Sequence, residues 1–341
     1  MQPIHRRIIA AFAALGIAIG PSCVDVARVD EVTTVRVLGV TADEPYAAPG
    51  DEVTLRMTIA DAREASARPI QITWIAGCTV PTAATAYFAC LDQLAGLGAG
   101  LGDPKAAPFI QQEVVDTELS GVPDAVTFAV EIPEDVLTSK DDVPSDTLVY
   151  RVFFTVCAGE IAPEEVAPDG DTLLPVGCFD ADGNRVGPDG FVIGFSDVFV
   201  FADGRRNENP QVTGIEFDGT LLPQDPSEAL AVAACGESPR GCGGTDLPCT
   251  REVVVVVEDT AEPDPSDSTD RRETVWVDYF TDAGNFEEPQ KLVSDAATGF
   301  KSKHGTPWQF SNEHSGLITI WAVVRDNRGG AAVTHGFLRV E

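Results

Sequence analysis

The sequence has few of the residue patterns that most often mark a catalytic or metal site. It contains 4 histidines in 341 residues and neither a C-x-x-C nor an H-E-x-x-H motif. Three of the histidines, His304, His314 and His335, lie near the C-terminal end without a metal-ligand spacing. Ser196 follows Gly194, but Val198 stands where a nucleophile elbow needs its second glycine. We therefore expect that the protein is not an enzyme.

Basic residues are also scarce. The chain has 23 Lys and Arg against 54 Asp and Glu, which gives a formal net charge of −31. Only five of the basic residues are lysines. A chain this acidic repels phosphate backbones, so the charge argues against a nucleic-acid partner. It also disfavours adsorption of the polypeptide alone to anionic headgroups.

Long apolar runs are missing except at the start of the chain. Ile8–Gly20 is 13 residues long and uncharged, it follows Arg6 and Arg7, and it precedes Pro21-Ser22-Cys23. As a helix it would reach about 20 Å, short of the roughly 30 Å hydrocarbon core of a bilayer. The pattern is typical of a secretory signal peptide, which we assign to residues 1–22.

The junction after this signal resembles the lipobox of bacterial lipoproteins. Cys23 follows the small residue Ser22, although Gly20 stands where that family usually has Leu. The resemblance implies that Cys23 is acylated, with palmitate among its chains, and anchors the protein in the cell envelope. Val24, rather than Asp, follows the cysteine and implies the outer membrane. The alternative is ordinary cleavage after Gly20 and a free secreted chain, but proline is poorly accepted directly after a cut.

The other seven cysteines are typical of an oxidising compartment. Short intervening segments favour the disulfides Cys78–Cys90 and Cys157–Cys178. The remaining three leave one thiol unpaired, with Cys235–Cys249 and Cys242–Cys249 both open. A zinc site is disfavoured, because these three are spaced by six residues twice and no histidine lies nearby.

Short strands dominate the secondary-structure signal. Asp51–Asp61 alternates apolar and polar residues with the period of two that marks a half-buried strand. Amphipathic helices of ten residues or more are missing apart from a short candidate at Thr85–Leu94. We therefore expect an all-β fold built of sandwiches. Further strands are predicted at Thr34–Val40, Ile70–Ala76, Ala125–Ile132, Thr147–Cys157, Phe191–Phe201, Gln211–Phe217, Ala229–Ala234, Glu252–Glu258, Glu273–Phe280, Leu317–Arg325 and Ala332–Val340.

The order of these strands repeats once along the chain. Each half has an opening strand, a central strand with one tryptophan (Trp74 or Trp276) and a long strand near its end. This layout predicts two tandem immunoglobulin-like sandwiches, in which that tryptophan fills the space between the layers. We divide the chain into a membrane-proximal tether at 23–33, a first domain at 34–203, a linker at 204–210 and a second domain at 211–341. The second domain carries an acidic insertion at 258–272.

The C-terminal segment resembles the closing hairpin of PKD-type and related bacterial immunoglobulin-like repeats. In Leu317–Glu341 a hydrophobic strand ends in an Asp-x-x-Gly turn, Asp326 to Gly329, and a second strand returns. The whole chain resembles Gram-negative lipoproteins with two immunoglobulin-like domains. This resemblance implies a non-enzymatic envelope protein that serves adhesion, protein interaction or surface assembly with a protein or glycan partner.

An alternative function is a carbohydrate-binding or accessory component of a secreted hydrolase system. Such sites usually expose planar aromatic side chains for stacking on sugars. The four tryptophans are explained more simply as core or near-core residues, and Trp308, in a segment that also contains Pro307, is the one candidate for exposure.

No cofactor is expected, and calcium is the one metal with candidate ligands. Asp180, Asp182 and Asn184 resemble the start of an oxygen-ligand loop, although position twelve is Phe191 rather than the Glu of an EF-hand. Asn207 and Asn209 precede Pro210 in a segment similar to the calcium-braced linkers of cadherins. The alternatives are a tight turn at the first place and an ordinary linker at the second.

Overall fold

The structure is a computed structural model, and it describes residues 28–63, 69–80, 110–115, 126–138, 146–163, 176–233, 250–259, 261, 271–310 and 315–341. In these ranges the regular structure is strand, apart from a 3-10 turn at Pro226–Glu228. No helix among them is long and apolar enough to cross a bilayer. The predicted signal, the short helix candidate and the predicted cysteine sites Cys23, Cys90, Cys235, Cys242 and Cys249 lie outside the described residues.

The N-terminal half forms two facing sheets and a separate hairpin. A three-stranded sheet has the order β1-β3-β6, a five-stranded sheet has the order β2-β10-β7-β4-β5, and β8 pairs with β9. The strands are β1 (Val35–Ala42), β2 (Tyr46–Ala47), β3 (Glu52–Asp61), β4 (Ile70–Val80), β5 (Ile110–Val115), β6 (Val126–Glu131), β7 (Thr147–Cys157), β8 (Glu160–Pro163), β9 (Val176–Phe179) and β10 (Phe191–Phe201).

The C-terminal half forms two further sheets, of five and six strands. Their orders are β12-β11-β14-β19-β16 and β13-β21-β20-β15-β17-β18. The strands are β11 (Val212–Phe217), β12 (Thr220–Leu221), β13 (Leu230–Val232), β14 (Thr250–Val257), β15 (Val275–Thr281), β16 (Asn285–Phe286), β17 (Gln290–Asp295), β18 (Gly299–Phe300), β19 (Thr306–Gln309), β20 (Gly316–Asp326) and β21 (Ala331–Val340).

The two halves share one strand order. The sheet β1-β3-β6 corresponds to β11-β14-β19, and β2-β10-β7-β4-β5 corresponds to β13-β21-β20-β15-β17. In each half the last long strand has a short parallel partner, β2 beside β10 and β13 beside β21. No strand of one half pairs with a strand of the other in the sheets of the described ranges.

The core of the N-terminal half lies between its two larger sheets. Alternate residues of β3, such as Leu55 and Met57, point into the core, as the period-two pattern predicts. Trp74 on β4 is fully buried and stacks on Phe128 of the opposite sheet, with ring centroids 5.6 Å apart. The prediction that Trp74 fills the space between the layers is therefore confirmed.

The core of the C-terminal half holds a different tryptophan from the one expected. Val275 and Val277 point into it, so Trp276, between them on β15, points to the outer face and is only partly buried. Trp308 on β19 is fully buried instead, stacked 4.4 Å from Phe310. The prediction for Trp276 was wrong, because a shift of one residue along a strand exchanges its two faces. Trp308 is a core residue and not the exposed candidate.

A close approach of the backbone accommodates the buried indole of Trp308. Its Nε1 donates to the carbonyl of Ala283 at 3.1 Å. The next residue, Gly284, has a φ of 77°, and a Cβ there would lie 2.9 Å from Nε1. Glycine is therefore required at this corner both for its conformation and for space.

One predicted disulfide is present in full. Cys157 at the end of β7 is bonded to Cys178 in β9, with the Cα atoms 5.6 Å apart. Cys78 in β4 is also disulfide-bonded. Its predicted partner Cys90 lies outside the described residues.

We expect Trp308→Ala to lower the free energy of unfolding by about 3–5 kcal/mol, because it leaves a cavity between two sheets. Trp276→Ala should cost roughly 1 kcal/mol, as for a partly exposed side chain. Urea unfolding followed by far-UV circular dichroism measures both values. Equal losses in the two variants would contradict the assignment of Trp308 to the core.

Candidate functional site

The two halves meet through the outer faces of two sheets. Leu38 on β1 and Ala60 on β3 pack against Trp321 and Val323 on β20, together with Val32, and all five are less than 5% exposed. These side chains form a small apolar cluster separate from the cores of the halves. Burial of this kind stabilises the contact between the halves in proportion to the apolar area removed from water.

Close approach of the two sheets depends on Gly39 in β1. A Cβ at this position would lie 3.2 Å from Val333 Cγ2 and 3.3 Å from Val323 Cγ1. Beside it, the Arg325 guanidinium donates to the carbonyl of Leu38 at 2.9 Å. Arg325 also pairs with Asp278 on β15. The arginine therefore joins the C-terminal sheet to the backbone of the N-terminal half.

Asn207 joins the predicted linker to the β20–β21 turn. Its side chain is 5% exposed and donates from Nδ2 to Asp326 Oδ2 at 3.1 Å. The other oxygen of Asp326 accepts from the backbone of Arg328 at 2.7 Å and of Gly330 at 2.8 Å. Arg328 in turn forms a buried ion pair with Glu273 at 3.0 Å.

Asn209 holds both halves at once. Its Nδ2 donates to the carbonyl of Ala42 in β1 at 2.7 Å, and its Oδ1 accepts from the backbone of Ala331 in β21 at 2.8 Å. Both polar atoms of the Asn209 side chain are therefore hydrogen-bonded to other protein groups. No group of three or more His, Cys, Asp or Glu side chains that could hold a metal is found among the described residues.

The other calcium candidate, formed by Asp180, Asp182 and Asn184, closes a turn through hydrogen bonds within the segment. Asp180 Oδ1 accepts from the backbone of Asp182 at 2.9 Å and of Asn184 at 2.8 Å. These bonds lower the pKa of Asp180 below its usual value. The geometry is that of a tight Asx-type turn, the alternative that the sequence left open.

The segment assigned to a tether is bound to the C-terminal half. Asp30 is 2% exposed and accepts from the backbone of Phe286 at 2.9 Å, while Arg28 donates to the Phe286 carbonyl at 2.6 Å. Val32 and Thr281 add backbone bonds, including Val32 N to Thr281 O at 2.8 Å. From Arg28 onward, the segment predicted to be a membrane-proximal tether is therefore hydrogen-bonded to the C-terminal half.

Asp282 is the acid with an unusual environment in this region. It follows Thr281, and its Oδ1 accepts from the backbone of Thr319 at 2.9 Å. Burial raises the pKa of Asp282 to about 6, although the hydrogen bonds from Thr319 oppose the shift. This carboxyl can therefore change its charge in a mildly acidic compartment.

The described histidines serve packing and hydrogen bonding. The ring nitrogens of buried His304 lie 2.8 Å from the carbonyl oxygen of Lys301 and 2.9 Å from that of Val255. Burial lowers the pKa of His335, which lies on β21. Ser196 lies in the middle of β10 in register with Val152. His314 lies outside the described residues.

A polar groove lies where the halves meet. Asn209 and β21 form one side, and the outer face of β1 and β3 forms the other, including Arg56. Sequence reasoning missed this junction because its residues look ordinary: Leu38 and Trp321 follow plain strand patterns. The Asp-x-x-Gly turn at Asp326 and the asparagines Asn207 and Asn209 were marked in advance, the asparagines as linker or calcium-ligand candidates.

No protein-family model matches this sequence, and no curated protein does. Among solved structures, the chain is similar to fibronectin(III)-like modules of CbhA from Clostridium thermocellum, with 10% identity over 90% of this chain and 94% of that one and a TM-score of 0.22. It is also similar to the two tandem V-type regions of VCBP3, a v-region-containing chitin binding protein, with 11% identity over 90% and 99% of the two chains and a TM-score of 0.27.

A third similarity covers a larger protein. Red sea bream transglutaminase shares 10% identity with a TM-score of 0.24, and the match covers 91% of this chain but 32% of that one. This chain therefore spans about a third of that enzyme. Scores this low carry no argument about function. The all-β architecture rests on the strands themselves.

We expect Asp282→Asn to flatten the dependence of stability on pH. Because the folded state holds this proton up to about pH 6, wild-type stability falls as pH rises from about 4 to 6. The variant should match wild type near pH 4 and exceed it by about 1–2 kcal/mol at pH 7. Melting temperatures across this range give the difference.

Asp295→Asn is the control of opposite sign. Backbone bonds from Thr298 and Ala297 lower the pKa of Asp295, so its substitution should remove stability above pH 4. An Asp282→Asn curve parallel to wild type would contradict the burial effect.

We expect Asn209→Ala to weaken the junction by about 1–3 kcal/mol, because it leaves the buried backbone N–H of Ala331 without its acceptor. Asn184→Ala, in an exposed turn, should change little. Differential scanning calorimetry of each variant, with calcium and with excess EDTA, measures the loss and any splitting of the transition. Equal melting of Asn209→Ala and wild type, or a melting shift caused by calcium, would contradict this description of the junction.

Proposed function

We propose that the chain is a lipid-anchored, non-enzymatic protein of the cell envelope, placed at the outer membrane. It holds two immunoglobulin-like sandwiches as one body for adhesion, protein interaction or surface assembly. Cys23 carries the lipid, and other surface proteins or glycans are the partners.

The attachment of the N-terminal segment to the C-terminal half carries this proposal. Arg28 and Asp30 are bonded to Phe286, which lies more than 250 residues further along the chain. Arg28 lies five positions after Cys23, at most about 18 Å away when the chain is extended. An acylated Cys23 would therefore keep both halves close to the bilayer, because the anchored segment contacts one half and continues into the other.

The junction supports presentation as a single body. Three kinds of interaction act together at one contact. They are the apolar packing around Trp321, the hydrogen bond from Arg325 to Leu38, and the two hydrogen bonds of the Asn209 side chain, one to each half. Two units fixed in this way present a surface of constant shape. Such a surface suits binding to another macromolecule, because less motion is lost when the complex forms.

The immunoglobulin-like assignment is supported by the repeated strand order. Each half sets a sheet with the shared strands β1-β3-β6 or β11-β14-β19 against a sheet in which the tryptophan-bearing strand, β4 or β15, neighbours the long strand β7 or β20. Immunoglobulin-like sandwiches divide their strands in a similar way between two antiparallel sheets. The fold hosts many roles, so the function rests on the anchor and the junction.

The carbohydrate-binding alternative loses its candidate residue. Trp308 is fully buried between the sheets and cannot stack on a sugar from solvent. Trp74 lies in a core and Trp321 lies at the junction, so Trp276, partly exposed on the outer face of β15, is the described tryptophan that remains for this role.

We expect Cys23→Ala to move the protein from the membrane fraction to the soluble fraction or to leave it unprocessed. The mature wild-type protein should have an intact mass higher than the chain from Cys23 by its acyl chains. Ser22→Ala is the matched control, because it keeps a small residue before the cysteine and should leave anchoring unchanged. A Cys23→Ala protein that fractionates as wild type would contradict the proposed anchor.

A further inference from the structure

Three of the five lysines in the chain lie on one small surface of the C-terminal half. Lys291 on β17 and Lys301 and Lys303 after β18 line an open concavity together with Leu292, Phe300 and Ser302. We call this surface the lysine face. It has no acidic side chain in its lining, although acids outnumber bases 54 to 23 in the whole chain.

The lysine face combines positive charge with exposed apolar area. Leu292 is 39% exposed, and Ser302 and Lys303 are exposed as well. Lys291 pairs with Glu288, and Lys301 donates to Thr298 beside it. Lysines beside an exposed apolar residue are typical of surfaces that meet lipid headgroups, where the chain carbons lie along the apolar region and the ammonium groups reach the phosphates.

The local charge differs from that of the rest of the molecule. Residues 286–304 contain three lysines and three acids, so this segment is neutral in a chain of net charge −31. One of the acids, Asp295, accepts hydrogen bonds from the backbone N–H groups of Ala297 and Thr298. An acidic body held near an anionic membrane is repelled least where its local charge is neutral or positive.

The lysine face also lies near the anchored N-terminal segment. Phe286 holds Arg28 and Asp30, and Lys291 follows it by five residues, at most about 18 Å along the chain. The acyl chain of Cys23 would therefore enter the bilayer within reach of these lysines. Val29 next to Arg28 is 74% exposed and adds apolar surface at the same end.

We propose that the lysine face docks on anionic phospholipid headgroups and sets the orientation of the anchored protein, with the β17–β18 edge toward the bilayer. The inference rests on the proposed anchor at Cys23. It leaves the opposite edge of the same sheet, at β13, directed away from the membrane and open to partners.

Acetylation footprinting of the mature full chain tests this orientation. The acylated protein is placed in phosphatidylcholine vesicles with and without phosphatidylglycerol, and each lysine is quantified by mass spectrometry. We expect acetylation of Lys291, Lys301 and Lys303 to slow about fivefold with the anionic lipid and to recover at high salt. Each lysine serves as its own reference between vesicle types, and Lys105 and Lys140 report any general effect.

Further conditions in the same experiment distinguish other causes of slower lysine acetylation. Equal rates in both vesicle types would overturn the proposal, as would equal protection by inorganic phosphate in detergent, which indicates a free-anion site. Protection that grows with protein density in neutral vesicles would also overturn it, in favour of contacts between copies of this chain. An intact mass without acyl chains would overturn the anchor itself, a result distinguishable from equal acetylation of an acylated chain.

A pair of variants with the same change in net charge gives a second readout. Lys291→Gln/Lys301→Gln/Lys303→Gln should slow insertion of the acylated protein into anionic vesicles about fivefold. Arg56→Gln/Arg251→Gln/Arg339→Gln removes three exposed arginines elsewhere and should have a smaller effect. All six positions are at the surface or partly exposed, so both variants should fold. Equal slowing in the two variants would show that only net charge matters and would overturn the lysine face as a docking surface.

Discussion

The contact between the outer faces of two sheets is the constraint on which the arrangement of this protein depends. An outer sheet face normally carries polar residues, but here Leu38 and Ala60 meet Trp321 and Val323 without solvent between them. Gly39 eases this contact, because a Cβ there would lie 3.2 Å from Val333 Cγ2 and 3.3 Å from Val323 Cγ1. Because the contact is apolar, it needs polar bonds at its margin to select one geometry, and Asn209 and Arg325 supply them.

The few arginines and lysines of this acidic chain lie in different kinds of contact. Arginines hold carboxylates in partly buried pairs, such as Arg151 with Asp197 and Arg328 with Glu273. The planar guanidinium suits such pairs because it makes two parallel hydrogen bonds, as Arg151 does at 2.7 Å each. The three lysines of the described residues, Lys291, Lys301 and Lys303, gather on the lysine face.

Most of the long strands could be predicted from the sequence, and several short ones could not. Thr147–Cys157 and Phe191–Phe201 appear with the predicted bounds, and the other predicted strands agree within a few residues. Alternation of apolar and polar residues is a local property, so it can be read directly from the sequence. Short strands such as β2, β12 and β16 have two residues each and carry no period. They exist because a neighbouring strand offers hydrogen bonds, which no local pattern records.

The sequence by itself determined the all-β architecture, the repeat of long strands and the disulfide between Cys157 and Cys178, since each follows from residue types and short spacings. Only the tertiary structure decided which tryptophan is buried, because the two faces of a strand differ by a single residue and the register depends on its neighbours. The same holds for Asn207 and Asn209, whose amides are indistinguishable in sequence from linker or calcium-ligand residues. Their partners Asp326 and Ala331 lie more than 100 residues away, and only folding brings them together.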